Sequence, residues 1–220
     1  MEIPDPYLNI VKANYEGLEK REFDSDSLSR YFRGCFDETA SYYHIYDAWA
    51  CVECLRVGTR TMELGLKPQR CPRCSAPVFQ IGTFQSRASR MGKAFEFAFM
   101  YLMSSHFGIE LRHIGEKNKV FDFEYKDGVV IEAKGSPDYT VLPDGAHLRL
   151  KRAGMRRSDT KKKAFANAED WKRRLTKGRF YIVTNANPSD LVEYQTDYVS
   201  GIYDITKKNQ LDDFVRALTA

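Results

Sequence analysis

Apolar residues recur at α-helical spacing in some parts of the chain and cluster in short strand-like runs in others. Helical spacing predicts a long helix over residues 86–108, which Gly108 would end, and another over residues 160–178. A nearly continuous apolar run at 180–183 predicts a buried central strand. Shorter patterns predict helices at 7–20, 27–36 and 209–218, and strands near 110–114 and 199–205.

The strongest strand pattern predicts a β-hairpin from residues 119–125 and 129–133, which are rich in aromatic and β-branched side chains. Gly128 would end a three-residue loop, at the position where a left-handed backbone favours glycine. Because side chains alternate along a strand, each face of the hairpin carries its own set. The predicted pairs are Phe121 with Ala133, Asp122 with Glu132, and Phe123 with Ile131; the apolar face is Phe121, Phe123, Tyr125, Val129, Ile131 and Ala133, and the other is Asp122, Glu124, Val130, Glu132 and Lys134.

The polar face of this hairpin carries groups that suit a divalent metal site. Asp122 and Glu132 supply the hard oxygen ligands that Mg²⁺ prefers, usually with waters and substrate phosphate oxygens. Lys134 lies two residues from Glu132 and hence on the same face, where it can hold an attacking water or offset transition-state charge. The alternative is a solvated face with cross-strand ion pairs.

Asp122, followed about ten residues later by Glu132-Ala133-Lys134, resembles the PD-(D/E)XK nuclease superfamily, the fold of many type II restriction endonucleases. The resemblance implies that Asp122 and Glu132 are metal ligands and that the Ala133 carbonyl is a possible third ligand. It also implies that Lys134 is the catalytic lysine. Phe121 stands where the family name has proline, a mild departure because that proline does no chemistry.

The resemblance also implies the fold class, an α/β core with a mixed central β-sheet flanked by helices. It covers about residues 86–220, whose predicted order of helix, three strands, helix and strand is the core order of the superfamily. An acid often stands on the first core helix in that superfamily, near the metal cluster. Glu96 is the candidate here; the alternative is a partly exposed glutamate in a salt bridge.

Four of the five cysteines are spaced as a zinc site: Cys51 and Cys54, then Cys71 and Cys74. Each C-x-x-C pair offers two thiolates on one side of a turn, and two pairs complete a tetrahedron around Zn²⁺. We therefore expect an N-terminal zinc ribbon with a structural ion. The alternatives are two disulfides, which are disfavoured inside cells, and a redox dithiol, which needs only one pair.

Composition is ordinary for a folded chain of 220 residues, with 43% hydrophobic and 29% charged residues. No run is long enough for a membrane span and the first residues lack a signal-peptide layout, so we expect a cytoplasmic protein. The net charge of +4 is unevenly distributed, because residues 149–179 hold thirteen Lys or Arg against three acids. A basic block suits a polyanion. The alternative is that these charges form the solvated face of a helix and bind no polyanion. The candidate DNA-binding residues are Arg149, Lys151, Arg152, Arg156 and Arg157.

These features predict three parts: a mixed N-terminal segment at 1–47, a zinc ribbon at 48–80 and a nuclease core at 86–220. The functional hypothesis is a Mg²⁺-dependent endonuclease of double-stranded DNA, a type II restriction enzyme acting as a homodimer with a site for each strand. The alternatives are a structure-specific nuclease for repair, junction resolution or transposition, and a non-catalytic zinc-ribbon protein that binds nucleic acid.

Overall fold

The computed structural model of the chain describes most of its residues and, within them, six α-helices, ten β-strands and one short 3-10 helix. The described residues are 3–59, 62–82, 88–114, 120–126, 128–142, 145, 147–150, 154–156, 158–174, 177–185 and 196–220. The helices are α1 (Tyr7–Glu19), α2 (Ser25–Tyr42), α3 (Val52–Arg56), α4 (Ala88–Phe107), α5 (Ser158–Arg174) and α6 (Lys208–Thr219), with the 3-10 helix at Gly154–Arg156. The strands are β1 (Ala48–Cys51), β2 (Met62–Leu64), β3 (Val78–Ile81), β4 (Arg112–His113), β5 (Phe123–Lys126), β6 (Val129–Lys134), β7 (Tyr139–Val141), β8 (His147–Arg149), β9 (Arg179–Thr184) and β10 (Gly201–Asp204).

A mixed five-stranded sheet forms the centre of the fold, in the order β10-β9-β6-β5-β4. Strands β4, β5 and β6 pair antiparallel, while β6, β9 and β10 pair parallel. Helix α5 is part of the connection that parallel pairing of β6 and β9 requires. The prediction of a mixed α/β sheet flanked by helices is therefore confirmed at this level.

Both faces of the sheet are covered, which explains why β6 and β9 read as nearly continuous apolar runs. On one face, α4 packs on the sheet in a large core that also contains side chains of α1, α2 and α6. On the other face, α5 packs on Val130, Phe180 and Ile182. The N-terminal helices belong to the first core: the Tyr31 hydroxyl donates to the Ala98 carbonyl over 2.8 Å.

The hairpin differs from its prediction at both ends. Phe123 pairs with Ile131 as expected, but Lys126 pairs with Val129 and the register shifts between Glu124 and Lys126. The predicted three-residue loop is therefore wrong. Gly128 does adopt the expected left-handed backbone, with φ of +78°, while Asp127 lies outside the described residues.

The predicted position of Phe121 on the apolar face with Phe123 is also wrong. Strand β5 begins only at Phe123, so the residues before it do not follow its alternation. Phe121 instead belongs to the second core, where its ring lies 5.1 Å from that of Trp171 in α5. The side chains of Phe121 and Phe123 therefore lie on opposite faces of the sheet, and the chain passes from one face to the other at Asp122.

The N-terminal cysteine-rich segment forms a separate three-stranded antiparallel sheet, in the order β2-β1-β3. Trp49 and Val78 pack beside its cysteines. On another side, Leu150, the residue directly after β8, packs with Ala48 and Ile81 of this sheet. Among the described residues, no helix has the length and apolar character needed to cross a membrane.

Candidate functional site

Two hydrogen bonds with the backbone of β6 hold Asp122 beside that strand. The Asp122 amide donates to the Ile131 carbonyl over 3.1 Å, although Asp122 itself precedes strand β5. Its carboxylate then accepts from the Ala133 amide, with Oδ2 2.8 Å from that nitrogen. The carboxylate of Asp122 is thereby held against the residue between Glu132 and Lys134.

Three oxygen atoms converge on the ammonium group of Lys134. Asp122 Oδ2 lies 3.6 Å from Nζ, and Glu132 Oε1 forms a close ion pair with it. Nζ also donates to the Ala133 carbonyl over 3.1 Å. Two carboxylates and one carbonyl therefore face a single cation, and they are the three oxygen ligands that the resemblance implies.

The Glu132 carboxylate is buried and accepts a hydrogen bond from helix α5, which covers this face of the sheet. Only 2% of this residue is exposed. Its Oε1 accepts from Asn167 Nδ2 of α5 over 2.9 Å. Asn167 is not among the residues predicted for the site. The sequence marks it only weakly, by its position next to Ala168 on the side of α5 that faces the sheet.

Burial and mutual charge set the protonation of this cluster. Burial, followed by the Asp122 carboxylate, raises the pKa of Glu132 to about 8, against the opposing effects of Lys134 and Asn167. Burial lowers the pKa of Lys134, but the Asp122 and Glu132 carboxylates outweigh it and hold that pKa above its ordinary value. Lys134 is therefore an ammonium at neutral pH, suited to donating hydrogen bonds and offsetting negative charge.

Glu96 lies on α4, as predicted, but its hydrogen-bond partner is His113 of β4. The Glu96 Oε2 atom is 3.0 Å from His113 Nε2, and both side chains are largely buried. Glu96 is close enough to Lys134 to raise the pKa of that residue, as a smaller contribution than those of Asp122 and Glu132. This contact fits the alternative, a partly exposed glutamate in a salt bridge, and a role for Glu96 near a metal stays a prediction.

The end of β6 is packed tightly against α4 and tied to β9. A Cβ atom on Gly135 would lie 2.0 Å from Cγ of Phe95, so only glycine lets the Phe95 ring cover this position. The buried Asn185 side chain accepts from the Ser136 amide over 3.0 Å and donates to the Ser136 carbonyl over 2.7 Å. Ser136 Oγ in turn accepts from the amide of Gly154, so the candidate site is tied to the start of the 3-10 helix.

The four predicted zinc ligands come together at the end of β1. Their ligand atoms all lie within 4.8 Å of one another, and the closest pairs, each involving Cys51 or Cys54 with Cys71 or Cys74, are 3.4, 3.5 and 3.6 Å apart. A tetrahedron with Zn–S bonds of about 2.3 Å has sulfurs about 3.8 Å apart, so the cluster fits a metal ion such as zinc. All four thiols are free, which excludes the disulfide alternative, and Cys35 is buried.

Local geometry prepares these sulfurs for a metal. Cys51 ends β1, and Cys54 follows within the short helix α3, so the first pair stands on a strand-to-helix turn. The second pair lies in a turn where the Ser75 amide donates to the Cys71 carbonyl over 2.9 Å. Burial raises the pKa of the Cys71 thiol, but hydrogen bonds from the Arg73 and Cys74 amides outweigh burial and lower that pKa to about 6. The pKa of Cys51 is instead raised by burial, so Cys71 ionises more readily than Cys51. A thiolate is the form that binds zinc.

The predicted DNA-binding residues fall at the edge of what the structure describes. Arg149 ends β8 with an exposed side chain. Arg156 belongs to the 3-10 helix by its backbone, and its side chain is outside the described part. Lys151, Arg152 and Arg157 also lie outside the described residues, so their role stays a prediction.

The known proteins offer no match from which to carry over a function. No family model, no curated protein and no solved structure matches this chain.

Proposed function

We propose that the chain is a Mg²⁺-dependent endonuclease that hydrolyses phosphodiester bonds in double-stranded DNA, with its active site at Asp122, Glu132 and Lys134. The observation that carries the proposal is the convergence of Asp122 Oδ2, Glu132 Oε1 and the Ala133 carbonyl on Lys134 Nζ. Oxygens arranged around one cation suit a hard divalent ion, which takes one or two carboxylates and keeps waters and phosphate oxygens.

The arrangement of strands also favours this proposal. Helix α4, antiparallel strands β4, β5 and β6, helix α5 and parallel strand β9 occur along the chain in the order expected for the restriction-endonuclease-like core, with β7, β8 and the 3-10 helix between β6 and α5. In that core the acid and the E-x-K triplet lie on adjacent antiparallel strands; here Asp122 directly precedes β5, and residues 132–134 end the neighbouring antiparallel strand β6.

Each residue of the cluster has a distinct chemical task under this proposal. A bound Mg²⁺ would polarise the scissile phosphate and activate a water. Asp122 and Glu132 would hold that ion, with the Ala133 carbonyl as a further ligand. Lys134, kept as an ammonium by its carboxylate neighbours, would orient the attacking water and offset charge on the phosphate in the transition state.

The zinc ribbon and the basic block belong to substrate binding in this scheme. Arg149 lies at the end of β8, and Leu150 beside it packs on the ribbon sheet, so the metal-stabilised ribbon supports the start of the basic segment. Most protein–DNA hydrogen bonds go to the phosphate backbone, which suits cationic side chains there. Cleavage of both strands of a duplex takes two such sites, so we propose a homodimer.

The test is incubation of the purified protein with supercoiled plasmid and Mg²⁺, beside matched Asp122→Ala and Glu132→Ala variants. Discrete fragments that need Mg²⁺ and both acids support a restriction-type enzyme. Cleavage confined to branched or mismatched DNA supports the structure-specific alternative, which uses the same site. DNA binding without cleavage of any of these substrates refutes the catalytic assignment and leaves a zinc-ribbon protein that binds nucleic acid.

A further inference from the structure

We propose that Asn167 is a positioning residue that orients the Glu132 carboxylate for divalent-metal binding, an inference that rests on the proposed function of this site. Asn167 Nδ2 donates to Glu132 Oε1 over 2.9 Å, across the boundary between α5 and the sheet. The two residues are 35 positions apart in the chain, so this contact depends on how α5 docks.

The docking of α5 explains why a side chain as short as asparagine reaches Glu132. Ala164 and Ala168 are fully buried on the face of α5 that packs against the sheet. Their small side chains let the helix backbone approach β6 closely. Asn167 lies beside Ala168 and one turn from Ala164, so its amide is carried toward the strand with them.

The hydrogen bond constrains which oxygen of Glu132 meets a cation. Oε1 accepts from Asn167 and also faces Lys134 Nζ, at the point where the three oxygens converge. Oε2 takes no part in these two contacts. Asn167 therefore holds the carboxylate in one orientation, with Oε1 directed at the cation position, and its loss would let the carboxylate rotate.

The amide is also the appropriate chemical group for this task. A lysine or arginine in its place would add a positive charge that repels Mg²⁺, and an acid would repel Glu132. A neutral N–H donor fixes the carboxylate without either penalty. Partners that hydrogen-bond to metal ligands in this way typically change metal affinity by about 10- to 100-fold when they are removed.

The experiment measures Mn²⁺ binding to the DNA-free protein by calorimetry, for the wild type, Asn167→Ala and an exposed, uncharged control on the same helix, Ala166→Gln. We expect Asn167→Ala to weaken Mn²⁺ binding by about 10-fold or more, and Ala166→Gln to leave it unchanged. Cleavage by Asn167→Ala should need correspondingly more Mg²⁺, with DNA affinity unaltered.

A purely structural role for Asn167 predicts a different pattern. Alanine has a higher helix propensity than asparagine, so the melting temperature of Asn167→Ala should change little if the residue acts through the metal. Lower stability with unchanged Mn²⁺ affinity would overturn the inference. Asn167→Leu, similar in volume but without a donor, should reproduce the loss of metal affinity and guards against a cavity effect.

The outcomes separate this inference from the proposed function. A wild-type protein that binds Mn²⁺ but cuts no DNA refutes the nuclease function, while weaker binding by Asn167→Ala still supports the positioning role. A wild-type protein that binds and cuts, with a variant of equal Mn²⁺ affinity, refutes the positioning role alone. Absence of Mn²⁺ binding by the wild type refutes both.

Discussion

Replacing Lys134 by methionine removes the cation on which the site converges while keeping most of the side-chain volume. Asp122 and the buried Glu132 then face each other without a counter-ion. Removing one partner of a buried ion pair typically costs about 3–5 kcal/mol, because the remaining charge is left uncompensated. We expect a loss of this order in the unfolding free energy where Glu132 is ionised and no metal is present.

Protonation of Glu132 should reduce that loss in a pH-dependent way. The folded-state pKa of Glu132 is raised to about 8 from its ordinary value of 4.5, so the favourable contribution of Glu132 is full below about pH 4.5 and disappears as the pH rises through about 8. Lys134→Met raises this pKa further by removing the ammonium. The variant should therefore be destabilised less at a pH of about 6 than at about 9.

Divalent metal should act in the opposite direction to the mutation. Asp122 and Glu132 would hold Mg²⁺ in place of the missing ammonium, and a ligand at roughly 100 times its dissociation constant adds about 2.7 kcal/mol to stability. We expect this gain to be larger in Lys134→Met than in the wild type, where the ammonium competes with the ion. Cleavage should nevertheless fall by orders of magnitude, with DNA binding largely kept.

Urea unfolding with and without Mg²⁺ at the two pH values measures these effects, and a plasmid assay measures cleavage. The matched control is Lys208→Met, which removes a partly exposed ion pair with Asp212 at the protein surface. Such surface pairs contribute about 0–1 kcal/mol, so this control should show little change and no dependence on Mg²⁺. A Lys134→Met protein with wild-type cleavage, or with a destabilisation that Mg²⁺ does not relieve, would contradict the role assigned to Lys134.

Three further predictions concern other parts of the molecule. Cys54→Ser should lose bound zinc by elemental analysis and lower stability, since metal binding and folding are coupled in such sites; a wild-type protein purified without chelator and containing no zinc would contradict this. Gly135→Ala should destabilise the protein by about 1–3 kcal/mol in urea, because its Cβ would overlap the Phe95 ring, and unchanged stability would mean that the ring moves freely aside. Arg149→Ala should weaken DNA binding at all sequences and reduce the slope of log affinity against log salt by about one; an unchanged slope would remove Arg149 from the phosphate contacts.

Local spacing in the sequence predicted most of the elements around the site. The pairing of Phe123 with Ile131 followed from two strand patterns around a glycine, and the structure has that pair. The spacing of two C-x-x-C pairs predicted a four-cysteine cluster, which forms. The long helix before the hairpin and its end at Gly108 are also present, with Gly108 in the left-handed conformation. Such features are predictable because hydrogen-bond periodicity and turn chemistry act over a few residues.

The tertiary structure alone decided how far each charged group is buried and what it meets. Phe121 crosses to the α5 side because the strand begins later than its residue pattern indicates. Glu132 is buried, and Asn167 reaches it, only because two alanines bring a helix 35 residues away against β6. Glu96 meets His113 across the elements α4 and β4. Residue types and their spacing thus determined which chemistry the chain can offer, whereas the packing of distant elements determined which groups share one low-dielectric site.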